Sequence, residues 1–470
     1  MRVRNRAILH GATLTIPLAA AVFTLLVTAA CTGDAEPDAT PAPEPDAGGR
    51  DASEPIDSGD RDANPRPPFD PTPEKVVCAT EPCAVQLVAG AAHFCVRMSD
   101  ATVYCWGDDI WGQLGRGEAA TGLTGAGKVV ELTDVVDIGA AGNATCALLA
   151  DGTPKCWGIN ADGELGLSAD FPQTDYDRHP VPTRPEIGEE VAKRLDVGFG
   201  SVCIATVSGK LLCWGNGQSY KLARVVHGRG PLPVPVEPGE AELTAGMFGK
   251  TGASSRTSLG LGTDGTVWSW GAMSGEDGLV SGRISSRSPD EVPRRIDQLA
   301  KVTSLAVSPI LWREPPPSPG RPQVLAHAHA CAIADGEVWC WGQSFTGALC
   351  TGLPDREQEP RRAPVFSEAW PQQVTVGDET TCVRLTDGKV HCCGENINGA
   401  LARGLDEAFS ATLTPAQNFT SHAVHVAASH GAVCALVQGG TVECWGNNTR
   451  GELGLIPDRE AHPSPVKISF

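Results

Sequence analysis

From residue 84 to the end of the chain, apolar and polar positions alternate in short runs broken at regular intervals by Asp-Gly or an equivalent pair. The clearest stretch runs from Cys146 through Asp151-Gly152 to Cys156-Trp157-Gly158, followed by Gly163-Glu164-Leu165-Gly166. Period-two alternation on both sides of a central Asp-Gly predicts a β-hairpin. The second cysteine with its Trp-Gly recurs as Cys105-Trp106-Gly107, Cys213-Trp214-Gly215, Cys340-Trp341-Gly342 and Cys444-Trp445-Gly446. Two further copies read Ser269-Trp270-Gly271 and Cys392-Cys393-Gly394. The first cysteines stand at 95, 146, 203, 331, 382 and 434, with Leu259 in the fourth place, so the intervals are 51, 57, 56, 72, 51 and 52 residues. Units of this size stack, because one hairpin cannot bury its own faces.

The turns set the register. Ala150-Asp151-Gly152 suits a three-residue turn with Gly152 left-handed, and this puts Cys146 opposite Cys156. The fifth unit lacks one residue, and a two-residue Asp335-Gly336 turn again puts Cys331 opposite Cys340. Facing cysteines at the closely spaced, non-hydrogen-bonded positions are placed for a disulfide. The fourth unit lacks both cysteines together, Leu259 and Ser269. Expected cross-strand pairs are therefore Cys95–Cys105, Cys146–Cys156, Cys203–Cys213, Cys331–Cys340, Cys382–Cys392 and Cys434–Cys444, with Cys78–Cys83 as a local bridge. Buried free thiols are the alternative. The wide spacing argues against zinc. Cys350 and Cys393 are left over, and a bridge between the fifth and sixth units would use both.

The Cys-Trp-Gly units, with Gly112-Gln113-Leu114-Gly115 and its relatives at 163–166 and 451–454, resemble the regulator of chromosome condensation repeat family. The resemblance spans about residues 84–470 and implies an all-β, seven-bladed β-propeller over 76–470. Gly347-Ala348-Leu349-Cys350 and Gly399-Ala400-Leu401-Ala402 depart from the pattern, and no such tail follows Trp214. A Pro-Val-type segment precedes most units, and one is left over at the end, Pro465-Val466-Lys467-Ile468. The expected closure is a C-terminal strand that completes the first blade.

The first residues change the picture of address. Arg2, Arg4 and Arg6 precede an uncharged apolar run, Gly11 to Ala30, ending in Ala29-Ala30-Cys31. This resembles a bacterial lipoprotein signal over 1–30, with Cys31 as the lipidated residue. Residues 32–75 hold 12 acidic residues, 4 basic residues and 10 prolines, a composition expected to stay disordered as an acidic tether over 31–75. Thr32 rather than Asp after the cysteine implies the outer membrane, so a cell-envelope location with a lipid anchor as the only membrane contact is the expectation.

Composition narrows function further. The chain carries 37 Lys+Arg against 56 Asp+Glu, a net charge of −19, which excludes nucleic acid as a partner. No nucleophile elbow, zinc-protease motif or phosphate loop occurs, so no enzyme activity, metal or cofactor is expected. His93 and His329 both stand two residues before a first cysteine, which points to a structural role. His422 and His425 fall on opposite faces of a strand, which argues against a shared metal. The excess length before the fifth hairpin, around 308–322, carries Trp312-Arg313, a candidate binding pair because both residue types anchor interfaces. A tolerated surface insertion is the alternative. A second long connection, Ala169 to Arg184, carries Tyr176 and Arg178. The leading expectation is a disulfide-stapled protein-interaction module with an extracellular or envelope protein ligand. Two alternatives are an inhibitor of an extracellular enzyme such as a β-lactamase, and a cell-wall or carbohydrate binder.

Overall fold

The computed structural model describes residues 68–118, 124–167, 175–223, 228–235, 248–253, 256–309, 311–313, 325–352 and 356–470. They fall within one compact unit, 65–470. Among them, seven antiparallel sheets follow one another around a ring, each built from four consecutive strands, to give an all-β, seven-bladed β-propeller. Blade 2 shows the plan: an inner strand Val135–Ala141, then Ala144–Leu149, Pro154–Asn160 and an outer strand Asp175–Thr183. Blade 5 carries one strand more, Leu311–Arg313, paired to the start of Leu325–Ala334.

The hairpin register follows the turns. Cys146 faces Cys156 and Cys331 faces Cys340, and in the fourth blade Leu259 faces Ser269. Asp335 and Gly336 both have positive φ, 51° and 78°, the geometry of the tight two-residue hairpin turn that matches strand twist. One residue fewer in the turn thus leaves the facing pair intact. Six within-blade disulfides link these pairs, and their Cα atoms lie 4.0–4.2 Å apart.

The apolar core is divided rather than central. Each of seven buried clusters joins two neighbouring blades, and every junction has one. One example packs Cys95, Val103 and Leu114 of blade 1 against Val135, Ile138 and Trp157 of blade 2. The blades are held by burial against each other, as expected for repeats whose faces are incomplete alone.

The closure differs from the sequence expectation. Each Pro-Val segment is the outer strand of the blade it follows, so His462–Lys467 completes blade 7 beside Val442–Gly446. Blade 1 takes the short Gly127–Lys128 as its outer strand. No strand is exchanged. The C-terminal chain instead seals the ring by packing, with Ile468 in the cluster shared by blades 7 and 1 and Phe470 against Tyr104 and Trp106.

A second closure lies in residues 68–83, part of which falls in the expected tether. Phe69 meets Trp370 edge-on. Glu74 accepts from Gln438 Nε2 at 2.9 Å, and pairs with His422 at 3.0 Å and with the buried Arg384 at 3.5 Å. Val77 N donates to Gln438 Oε1, and Ala79 N to Gly439 O. This strap crosses blades 6 and 7 on the side of the Asp-Gly turns before entering blade 1. Composition alone does not reveal it because the partners stand 300 to 364 positions away in sequence.

Candidate interaction surface

The junctions are built from one repeated device. The indole of each Cys-Trp-Gly is buried and donates to a carbonyl in the Gly-x-Leu-Gly loop of the preceding blade. The distances are 2.9 Å for Trp106 to Glu452 O, 2.9 Å for Trp157 to Gln113 O and 2.8 Å for Trp214 to Glu164 O. Trp270, Trp341 and Trp445 donate in the same way to the Lys221, Val280 and Ala400 carbonyls, in the corresponding loops of different sequence. A histidine relay adds to this at two junctions. His93 Nε2 lies 2.8 Å from Thr145 Oγ1, which donates to Gln113 O. His329 Nε2 lies 2.8 Å from Thr381 Oγ1, which donates to Ala348 O. Burial pushes His93 down to about 4, and burial with His327 nearby pushes His329 down to about 3, so both are neutral donors at neutral pH.

The junction between blades 5 and 6 departs from this. Cys393 stands where the tryptophan belongs, and Cys350 closes the preceding loop. The two form a disulfide with Cα atoms 5.7 Å apart, both fully buried. The fourth loop position is left-handed throughout: Gly115 has φ 64°, Gly166 65° and Gly454 67°, while Cys350 holds φ 57°. A Cβ added at Gly115 would fall 2.8 Å from Trp157 Nε1. Cys350 thus aims its side chain at the indole site. Ala223 and Ala402 occupy the same position beside tryptophans, so a methyl is accommodated, whereas a sulfur is met by Cys393.

Above this junction lies the inserted strand. Trp312 pairs across from Ala326 and Arg313 from Leu325, which places the sequence-predicted pair on the inserted strand of blade 5. His327, on the same extension, is buried and lies 3.3 Å from the buried Glu379 of blade 6. Glu379 also accepts from Ser344 Oγ at 2.9 Å and Thr346 Oγ1 at 2.7 Å. Phe345, between these two, meets His327 edge-on and is itself exposed. Phe345 sits four residues after its Trp, and Ile110 and Ile397 occupy the same place in blades 1 and 6, both exposed. Sequence reasoning missed this recurrence, although the spacing from Trp is a readable signal.

The channel, about 460 Å³, is lined by inner strands. Side chains of one blade cap the next: Gln86 donates to Ile138 O and accepts from Ile138 N, and Gln373 does the same with Val426. His425 lies 2.8 Å from Gln373 Nε2, and His430 pairs with Asp378. These histidines serve the ring. Among the described residues no three His, Cys, Asp or Glu side chains are grouped to hold a metal.

Cys78 and Cys83 are joined by a disulfide. Cys31 lies outside the described residues. No helix among the described residues is long and apolar enough to cross a membrane.

Comparison with known proteins places this architecture. Models of the regulator of chromosome condensation (RCC1) repeat match residues 84–113, 372–400 and 335–384. The chain is similar to RCC1-repeat proteins. The E3 ubiquitin-protein ligase HERC2 of Mus musculus is 27% identical over 59% of the chain, which spans only 5% of that protein. The Ultraviolet-B receptor UVR8 of Arabidopsis thaliana is 23% identical over 78% of each. Among solved structures, Prp20p of Saccharomyces cerevisiae superposes with a TM-score of 0.63 at 18% identity, covering 84% of this chain and 90% of that one. Human WBSCR16 gives 0.59 at 18% identity, covering 78% and 94%. The buried histidines here are committed to holding blades together.

The comparisons correct the expected address. The relatives are eukaryotic, from mouse, human and Arabidopsis, and one is a mitochondrial protein, RUG3. They overturn the reading as a bacterial outer-membrane lipoprotein with an envelope ligand. The inhibitor of an extracellular enzyme and the cell-wall binder fall with it, because both presuppose that location. The leader-like pattern is a short compositional signal, whereas the relatives align over most of the repeat region.

Proposed function

We propose that this propeller is a protein-interaction scaffold whose contact face is the one carrying the loops after each Trp-Gly and the inserted hairpin of blade 5. The observation that carries this is the exposed apolar series Ile110, Phe345 and Ile397 at one repeat position, on loops held rigid by the junctions beneath them. Rigid loops lose little entropy on binding, and exposed apolar anchors supply contact area. The opposite face is partly covered by the 68–83 strap. Trp312 and Arg313 belong to the proposed contact set by their place on the inserted strand. UVR8 and HERC2, named as a receptor and a ligase, are compatible with this role, since each carries similar repeats within a protein of different activity.

The test is photo-cross-linking in the source cells with a reactive residue in place of Phe345 or of Phe366, which is exposed away from this face. Discrete protein adducts from position 345 and none from 366 are expected. Equal labelling from both positions, or none from 345, contradicts the reading.

A further inference from the structure

Residues 68–77 are held as a bound peptide is held, on the turn side of blades 5 to 7 and away from the proposed contact face. They form no strand, and blade 1 begins at Ala84, so no sheet depends on them. Asp70, Thr72, Lys75 and Val77 are exposed. Two side chains carry the attachment. Phe69 meets Trp370 edge-on, and a Cβ added at Gly336 of the blade 5 turn would fall 3.2 Å from the Phe69 ring. Five residues on, the Glu74 carboxylate meets groups from two blades: Arg384 Nη1 of blade 6 at 3.5 Å, and His422 Nε2 and Gln438 Nε2 of blade 7 at 3.0 and 2.9 Å. Two glutamines hold the backbone. Gln372 donates to Thr72 O, while Gln438 donates to Lys75 O at 3.2 Å and accepts from Val77 N at 2.7 Å.

Arg384 decides what this groove accepts. Its side chain is 2% exposed, and among the described residues Glu74 is the carboxylate that pairs with it. A buried cation stripped of its counter-charge is costly, so any occupant of the groove must bring an anion. The fit of Glu74 is incomplete: it reaches Nη1 at 3.5 Å, Nη2 is taken by Gln372, and Nε is buried with no hydrogen-bond partner. We infer that this groove is a second binding site, for an extended segment of a partner protein that carries an aromatic residue and, five positions later, a carboxylate. Residues 68–77 are its intramolecular stand-in. A partner carboxylate seated deeper takes Nη1 and Nε together, a bidentate bond that Glu74 does not make. That gain offsets the high local concentration of the tethered segment. Release ends at Cys78, because its disulfide to the buried Cys83 and the bond from Ala84 N to Gly440 O hold the chain at the start of blade 1.

Fluorescence anisotropy with a labelled synthetic peptide of residues 68–77 tests this on the full, oxidised chain. The peptide is expected to bind the Phe69→Ala/Glu74→Ala chain at least about tenfold more tightly than the unsubstituted chain, whose own segment competes. Glu74→Gln in the peptide weakens binding by about tenfold or more, and Phe69→Ala by several-fold. His422→Ala added to the double-variant chain also weakens it by several-fold. An unchanged melting temperature verifies folding. Should the double variant melt early, Glu74→Gln alone replaces it and again binds the peptide more tightly than the unsubstituted chain. Panning a random peptide library on the unsubstituted chain then recovers sequences with an aromatic residue five positions before Asp or Glu that compete with the labelled peptide. A peptide that binds neither chain, binds both equally or tolerates Glu74→Gln overturns the inference, as does panning that recovers no such spacing. Sedimentation of the unsubstituted chain as a dimer that the peptide dissociates gives the groove to a second copy and overturns the partner assignment. None of these results alters cross-linking from position 345, so the site and the scaffold reading fail separately.

Discussion

The junction between blades 1 and 2 and the junction between blades 5 and 6 meet the same need with different chemistry. Both keep a buried histidine that reaches a threonine of the next blade, and both keep that threonine on a carbonyl of the preceding loop. At the first, an indole fills the gap and Gly115 makes room for it. At the second, the glycine and the tryptophan are both cysteines, and a covalent bond replaces a hydrogen bond with its packing. The loop keeps its left-handed backbone in either case. What the two share is the loop geometry and the relay; the filler is interchangeable provided both partners change together.

The comparison breaks most sharply at the tryptophan. Trp157→Ala leaves a cavity in the blade 1–2 cluster and takes one of two donors from the Gln113 carbonyl, and is expected to cost about 3–5 kcal/mol in guanidinium unfolding. Cys350→Ala/Cys393→Ala removes a bridge with a sequence separation of 43, against 10 for Cys146–Cys156. Loop-closure entropy then predicts losses of about 4 and about 2.7 kcal/mol respectively. Measuring both doubles by the same unfolding assay sharpens the distinction between a brace across blades and a staple within one.

The histidine relay is common to both junctions and has a pH signature. The folded-state values of His93 and His329 lie below the unfolded value, so the unfolded chain binds more protons and stability is lost as pH falls from about 6.5 toward 4. For His93 this is on the order of 3 kcal/mol by pH 4, and His93→Gln should flatten that limb in unfolding midpoints measured against pH. The loop carboxyls run the other way. Burial pushes Glu164 and Glu452 up to about 7, so stability is lost as pH rises from about 4.5 through 7. Gln113 holds the same loop position with an amide that accepts from Trp111 N at 2.8 Å, as Glu164 accepts from Asp162 N at 2.8 Å. Glu164→Gln should therefore keep the loop and gain about 1–3 kcal/mol at pH 8, read from the melting temperature. The smallest effect expected is at the channel: Gln373→Ala should cost about 1 kcal/mol and leave the blades paired, checked by the same melt.

Hairpin register is legible in the sequence because a turn of known length counts outward to a facing pair, and cysteines mark that pair. The number of blades is legible because the Trp-Gly recurs even where cysteines do not, at Trp270. Closure is not, since a Pro-Val strand reads the same whether it belongs to the blade before it or after it, and only pairing decides. The 68–83 strap is hidden for a related reason: Glu74 is one acidic residue among many until His422, Arg384 and Gln438 are brought beside it. Of the candidate contact surface, Trp312-Arg313 is marked by an interval of 72 residues, while Phe345 and Ile397 are marked only by their shared distance from the Trp position.

Disulfide mapping of the non-reduced protein by fragmentation mass spectrometry tests the central contrast most directly. A Cys350–Cys393 link beside Cys382–Cys392, with no free thiol between residues 78 and 444, is the predicted result. A free Cys393, or a link from Cys350 to Cys382 or Cys392, would contradict a covalent brace at the junction of blades 5 and 6.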